Sequence, residues 1–269
     1  MGTYVISDIH GCKDEFFAML HQIHFTDADQ MIVAGDCIER GTQNYEMLRW
    51  MELCPKNICL LRGNHEEAFA AYVDLMLSID EEVALETDAD SNVDTEALYE
   101  SVKYAVKYAM KSTMSSGLHF DPYGTLRILI RQNHATLSDL CRWSSMIRKM
   151  PYYRKLQIGE RICVVVHAGY TQDFSKLDAD FSTPEDFYLY AREESIDLGG
   201  IRHGMVVAGH TPTVVKGVFA YNQGDVFRYY DREKDCIFYD IDCGCVFRNN
   251  KPDAKLACIR LEDEKIYYI

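Results

Sequence analysis

Tyr4-Val5-Ile6-Ser7-Asp8-Ile9-His10-Gly11 opens the chain with a short apolar run that stops at two side chains able to bind a metal ion. The same arrangement recurs four times. Met31-Ile32-Val33-Ala34 stops at Gly35-Asp36, and Ile58-Cys59-Leu60-Leu61 stops, one arginine later, at Gly63-Asn64-His65-Glu66. Ile162-Cys163-Val164-Val165-Val166 stops at His167-Ala168-Gly169, and Met205-Val206-Val207-Ala208 stops at Gly209-His210-Thr211. Runs of this length, rich in β-branched residues and followed by glycine, read as buried strands. In an open α/β sheet, ligands gather outside the carboxyl ends of the strands. Asp8, His10, Asp36, Asn64, His167 and His210 delivered to one edge would form a two-metal site.

Each position alone has an ordinary explanation. A histidine after a strand is usually a hydrogen-bonded structural residue, an aspartate there caps a helix, and Gly-Asp is a common turn dipeptide. Five coincidences in one chain outweigh these explanations. Asp8 and His10, two apart, are expected to share one face of an extended strand. Asp36 has two oxygens and can bridge two ions. A mixed oxygen and nitrogen set without thiolate suits manganese, iron, zinc or cobalt. His21, His24, His119, His134 and His203 lack the strand-end context and read as structural or exposed.

The composition is that of a globular protein: 269 residues, 48% of them hydrophobic, enough for one large α/β domain. No apolar stretch approaches the ~18 residues of a membrane span. The first strand begins by Tyr4, leaving no room for a signal peptide, so a cytoplasmic location is expected. The scattered cysteines read as reduced core thiols, with Cys243-Gly244-Cys245 a weak metal or redox signal. A formal charge of −14 argues against binding nucleic acid or an anionic membrane surface. Any phosphate site must therefore carry strong local positive charge. The oligomeric state is not legible.

Residues 1–65 alternate strand, helix, strand, helix, strand, with helices predicted over 13–24 and 45–53, which suggests βαβ units. Residues 67–150 read as a helical insertion within a single domain spanning 1–269. It comprises a helix over 67–77, an exposed acidic loop from Asp80 to Asp94, a helix around Leu98 to Met110, and another over 137–150 ended by Pro151. Because the insertion leaves the strand that delivers Asn64 and His65, its start is expected near the site and a role in specificity follows. From residue 160 strands return; 236–242 and 256–261 read as later strands of a second sheet, with 266–269 a terminal one.

Asp8-Ile9-His10-Gly11, Gly35-Asp36-Cys37-Ile38-Glu39-Arg40-Gly41 and Arg62-Gly63-Asn64-His65-Glu66 resemble the three signature blocks of the PPP phosphoprotein phosphatases, within the calcineurin-like metallophosphoesterases. His167-Ala168-Gly169 and Gly209-His210-Thr211-Pro212 resemble their later metal histidines, and Asp242-Cys243-Gly244 a C-terminal Asp-Thr-Gly. The likeness is to the bacterial and phage branch, which includes lambda phosphatase, bacterial Ser/Thr protein phosphatases and symmetric dinucleoside tetraphosphatases.

The resemblance implies a four-layer α/β sandwich of two mixed β-sheets flanked by helices. It implies two divalent ions, manganese first and iron or zinc as alternatives. Asp8, His10 and Asp36 would hold one ion; Asp36, Asn64, His167 and His210 would hold the other. It implies direct attack of activated water on phosphorus, with His65 as general acid, Glu39 orienting it, and Arg40 and Arg192 binding phosphate. Glu39 stands where the family usually has aspartate. The implied substrate is a phosphoserine or phosphothreonine protein or peptide, or alternatively a dinucleoside polyphosphate such as diadenosine tetraphosphate. For the latter, Tyr99, Tyr104, Tyr108, Phe120, Tyr123, Arg127 and Arg131 offer aromatic and basic groups, though helix-spaced aromatics more often belong to a core. A catalytically silent metal-binding docking module is the rival from another class.

Overall fold

The computed structural model describes residues 1–86, 94–110, 124–177, 181–219 and 222–269. In chain order its elements are β1 (Thr3–Ile6), α1 (Lys13–Gln22), β2 (Gln30–Val33), α2 (Asn44–Glu52), β3 (Ile58–Leu60), α3 (Asn64–Glu86), α4 (Thr95–Met110), α5 (Thr125–Arg131) and α6 (Leu137–Arg148). There follow β4 (Tyr153–Ile158), β5 (Arg161–Val166), α7 (Pro184–Tyr190), α8 (Glu194–Asp197), β6 (Gly204–Ala208), β7 (Phe227–Asp231), β8 (Cys236–Asp240), β9 (Ala257–Arg260) and β10 (Lys265–Tyr268). The chain divides into two compact units, residues 1–65 with 150–269, and residues 66–149.

The first unit holds two mixed five-stranded sheets, ordered β10-β9-β1-β2-β3 and β4-β5-β6-β8-β7. In the first, β1, β2 and β3 run parallel and β9 and β10 antiparallel to their neighbours, so the last two strands return to the first sheet through pairing with β1 instead of extending the second as expected. In the second, β5, β6 and β8 run parallel, with β4 and β7 antiparallel at the edges. Strand alternation decides which side chains meet. Val5, Ile32, Val165, Val207, Tyr239 and Ile259 join one buried cluster drawn from both sheets. Their sequence neighbours Val164, Val166, Val206 and Phe238 turn the other way, into a second cluster with Tyr170, Tyr188 and Phe219. Burying each such aliphatic side chain is worth about 1.5–3 kcal/mol. The expected sandwich of two mixed sheets flanked by helices is the fold observed. No described helix is long and apolar enough to cross a membrane.

The second unit is helical. Thr136 and Asp139 form a reciprocal capping box that starts α6. Arg148, at its end, pairs with Glu67 at 2.5 Å and Asp74 at 2.6 Å on α3. Tyr99 is buried and Arg131 is paired with Glu96 and Glu100, so in this unit both serve packing and charge pairing. His119, Phe120, Tyr123 and residues 87–93 of the acidic stretch lie outside the described residues.

Several local expectations are corrected. The acidic stretch is helical as far as Glu86, because its Glu, Ala and Leu residues favour helix over loop. Helix α3 starts at Asn64, three residues earlier than the apolar spacing suggests. The strand β1 ends at Ile6, so Asp8 and His10 are not on an extended strand; both have left-handed backbones, φ 51° and 47°. The polar edge strands β4 and β7 were not legible.

Candidate metal centre

The loops after β1 and β2 lie side by side. His10 and Gly11 N–H groups donate to Asp36 and Cys37 carbonyls at 2.8 Å each, and Asp8 N–H donates to the Gly35 carbonyl at 3.2 Å. These bonds continue the β1–β2 pairing past the strands while the backbone coils left-handed. Asp8, His10, Asp36, Glu39, Arg40 and His210 all have positive φ between 47° and 71°. Such conformations cost on the order of 1–3 kcal/mol each and persist where surrounding structure imposes them. Two glycines make the close approach possible. At Gly35, φ +87°, a Cβ would stand 2.7 Å from both the Gly63 Cα and His167 Nδ1. At Gly209 it would stand 2.1 Å from Asp8 Oδ2.

Asp36 lies at the centre, 1% exposed. Its Oδ2 faces His10 Nε2 at 3.5 Å and its Oδ1 faces His167 Nε2 at 3.5 Å. Oδ1 also accepts from the His65 N–H at 3.0 Å, in the first turn of α3, where a helix leaves its N–H groups without intrahelical partners. On one side of Asp36, His10 Nε2 lies 3.8 Å from Asp8 Oδ1. On the other, Asn64 Oδ1 lies 2.8 Å from His167 Nε2 and 3.0 Å from His210 Nδ1, and the two nitrogens are 3.1 Å apart. All six residues from the strand ends therefore come together.

The protonation pattern suits cations. His10 Nδ1 donates to the Ile38 carbonyl at 3.0 Å and His167 Nδ1 to the Ala34 carbonyl at 2.9 Å. Each neutral ring then presents its Nε2 lone pair to the centre. Burial lowers the pKa values of His10, His167 and His210 below the ordinary 6.5, keeping those rings neutral. Among Asn64 Oδ1, His167 Nε2 and His210 Nδ1, only the last can carry a hydrogen. Three acceptor atoms about 3 Å apart with at most one hydrogen are what a shared cation would satisfy. Burial raises the Asp8 carboxyl, with Asp242 and Asp36 adding to the shift, and burial holds Asp242 up at about 6. Burial also opposes the charge of Asp36, but the histidines around it, His167 first, outweigh burial and hold its pKa low. These residues fit two divalent ions that share Asp36.

The neighbouring polar residues take distinct positions. His65 Nδ1 lies 2.6 Å from Glu39 Oε2, and its Nε2 faces Asp36 Oδ2 at 3.7 Å. Burial depresses the His65 pKa, but Asp36 and Glu39 reverse this and leave it raised. The longer Glu39 side chain thus reaches His65, from a backbone at φ 71° anchored by a 2.8 Å bond from Glu39 N–H to Asn44 Oδ1. Arg40 Nη1 lies 3.1 Å from His10 Nε2, and Arg192 Nη1 3.4 Å from the His210 carbonyl. Arg62 turns aside, stacking over Tyr152 at 4.6 Å. Asp242, 3% exposed, adds a carboxylate felt by Asp8, Arg40 and Arg192. The sequence displays that motif but gives its acid no task; burial in the fold is what reveals it.

Residues 1–214 match the calcineurin-like phosphoesterases, so the chain belongs to that family of metal-dependent hydrolases. A symmetrical bis(5'-nucleosyl)-tetraphosphatase of Citrobacter koseri is 42% identical over 67 residues, and one of Salmonella typhimurium 40% identical over 67. Each match covers 24% of this chain and 24% of the relative, so the alignment spans about a quarter of the curated relatives' length. Among solved structures, a metallophosphoesterase from Sphaerobacter thermophilus superposes with a TM-score of 0.52 at 13% identity, covering 100% of this chain and 88% of the other. Another, provisionally assigned as a diadenosine tetraphosphatase, gives 0.53 at 15% identity, covering 100% and 93%. These two share the fold.

Proposed function

We propose that the chain hydrolyses phosphate esters or anhydrides at this centre, with dinucleoside polyphosphates of the diadenosine tetraphosphate type as its first substrate class. The observation that carries the hydrolytic reading is Asp36, whose two oxygens face separate sets of nitrogen and oxygen donors. The substrate class is supported by the name of the relatives matched over 67 residues. The phosphoprotein reading is kept second, on the resemblance of the signature blocks to the PPP phosphatases.

Two divalent ions, held by Asp8, His10 and Asp36 and by Asp36, Asn64, His167 and His210, would lower the pKa of a water and polarise the phosphate oxygens. Manganese suits the donor set, and iron or zinc fits it too. Arg40 would exchange its contact with His10 for phosphate oxygens, and Arg192 would hold the same group from the β6 side; planar guanidinium suits this recognition. His65 would protonate the leaving oxygen from Nε2 while Glu39 holds Nδ1–H, fixing the tautomer. The Glu39 carboxylate on Nδ1 favours the protonated ring.

The decisive assay measures release of product from diadenosine tetraphosphate, a phosphopeptide panel and p-nitrophenyl phosphate with added Mn²⁺. Diadenosine tetraphosphate should show the largest kcat/KM, and exhaustive chelation should abolish all three activities. A phosphopeptide preferred over the dinucleotide would reverse the order of the two readings. Activity that survives chelation would remove the metal centre from the reaction.

A further inference from the structure

Cys12 and Cys245 are 233 positions apart in sequence, yet the fold brings their sulfurs together. Together with a Glu15 carboxylate oxygen they lie within 4.8 Å of one another. Both cysteines are buried. Arg248 binds the whole set: its Nη1 is 3.1 Å from Cys12 Sγ and 3.9 Å from Cys245 Sγ, and its Nη2 is 2.5 Å from Glu15 Oε1. The other oxygen, Glu15 Oε2, is buried with no hydrogen-bond partner. A buried carboxylate oxygen without a partner is costly, and in a native fold it calls for an explanation.

The geometry points to a second metal site here, distinct from the Asp36 centre and taking a thiophilic divalent cation of the zinc class through Cys12 Sγ, Cys245 Sγ and a Glu15 carboxylate oxygen. Thiolates select softer ions than the oxygen and nitrogen donors around Asp36 do. Donors around a tetrahedral zinc, at about 2.3 Å for sulfur and 2.0 Å for oxygen, stand roughly 3.5–3.8 Å apart. The three atoms need contract by at most about 1.3 Å from their 4.8 Å limit to reach that spacing. Binding is a ligand exchange without redox change: the ion forms two metal–sulfur bonds and one metal–oxygen bond, and the two thiols release two protons. Two thiolates and Glu15 carry three negative charges; Arg248 and a divalent ion balance them. Arg248 would serve as the supporting donor that orients the sulfur and carboxylate ligands. The site would tie the residue that starts α1 to the turn after β8.

Cadmium titration of the full chain tests this, because cadmium thiolates give an ultraviolet charge-transfer band that the Asp36 centre, lacking sulfur, does not. The band should saturate with one cadmium bound beyond those the Asp36 centre takes up, and Cys12→Ser and Cys245→Ser should each abolish it, with folding checked by circular dichroism. Cys243→Ser should leave it unchanged, and Glu15→Gln should weaken cadmium affinity about 10–100-fold. The readout does not depend on turnover, so it stands whether or not the phosphoester reading does. Absence of the band, its persistence in either serine variant of the pair, or recovery of a Cys12–Cys245 disulfide from reducing buffer would overturn the proposal.

Discussion

Replacing His65 with asparagine removes a proton donor and leaves the proposed ligands untouched. In the fold, His65 Nδ1 is bonded to Glu39 at 2.6 Å, and its Nε2 is the atom left to act on a leaving group. General acid catalysis is worth about 10²–10⁴-fold, or roughly 2.7–5.4 kcal/mol at 1.36 kcal/mol per tenfold. The full loss should appear only where the leaving oxygen is strongly basic. An alkoxide departing from phosphoserine needs the proton; nitrophenolate, or a nucleoside diphosphate leaving a dinucleotide, needs it far less. His65→Asn should therefore lower kcat by about 10²–10⁴ on a phosphoserine peptide and by less than ~10-fold on p-nitrophenyl phosphate. KM should change little, since the lost contact acts in the transition state. The raised pKa sets the sign with pH: His65 is protonated below its folded pKa, so the alkoxide reaction falls as pH rises through that value, and the variant lacks this limb. Steady-state kinetics on both substrates, with metal content measured alongside, is the assay. Equal losses on the two leaving groups with metal retained would refute the acid role, and loss of metal would make His65 a ligand instead.

Asp36→Asn should strip the centre of both ions, read by elemental analysis, since it removes the charge facing His10 and His167; full occupancy would refute the bridge. Gly209→Ala should lower activity at least ~10-fold with the fold retained, because its Cβ would meet Asp8 Oδ2 at 2.1 Å and small displacements at a site are costly. Metal affinity should weaken as pH falls through about 6, where Asp242 takes up a proton and Asp8, raised likewise, must release one to bind. Calorimetry in two buffers of different ionisation enthalpy should show that proton release.

Runs of β-branched residues ending in glycine and a polar side chain were enough to place the inner strands and to name the residues that converge on Asp36, but not to assign Ala257–Arg260 and Lys265–Tyr268 to the sheet of β1. The conformation of the loops was not legible, because strand periodicity ends where the left-handed residues begin. Asp8 and His10 meet through positive φ and loop-to-loop bonds, not through the two-residue repeat of a strand. Edge strands such as Tyr153–Ile158 bury none of their side chains fully and so lack an apolar signature. The proximity of Cys12 to Cys245 depends on β9 pairing with β1, a long-range event that no local pattern announces.

The centre draws its donors from both sheets, and this sets an order of assembly. Asp8, His10, Asp36 and Asn64 emerge early in synthesis, whereas His167 and His210 arrive on β5 and β6, more than a hundred residues after Asp36. With the ligands proposed above, a nascent chain that has paired only β1 to β3 would own Asp8, His10 and Asp36 for one ion, but for the other only Asp36 and Asn64. Metal uptake should therefore be stepwise during folding, with the second ion captured only as the two sheets close on each other.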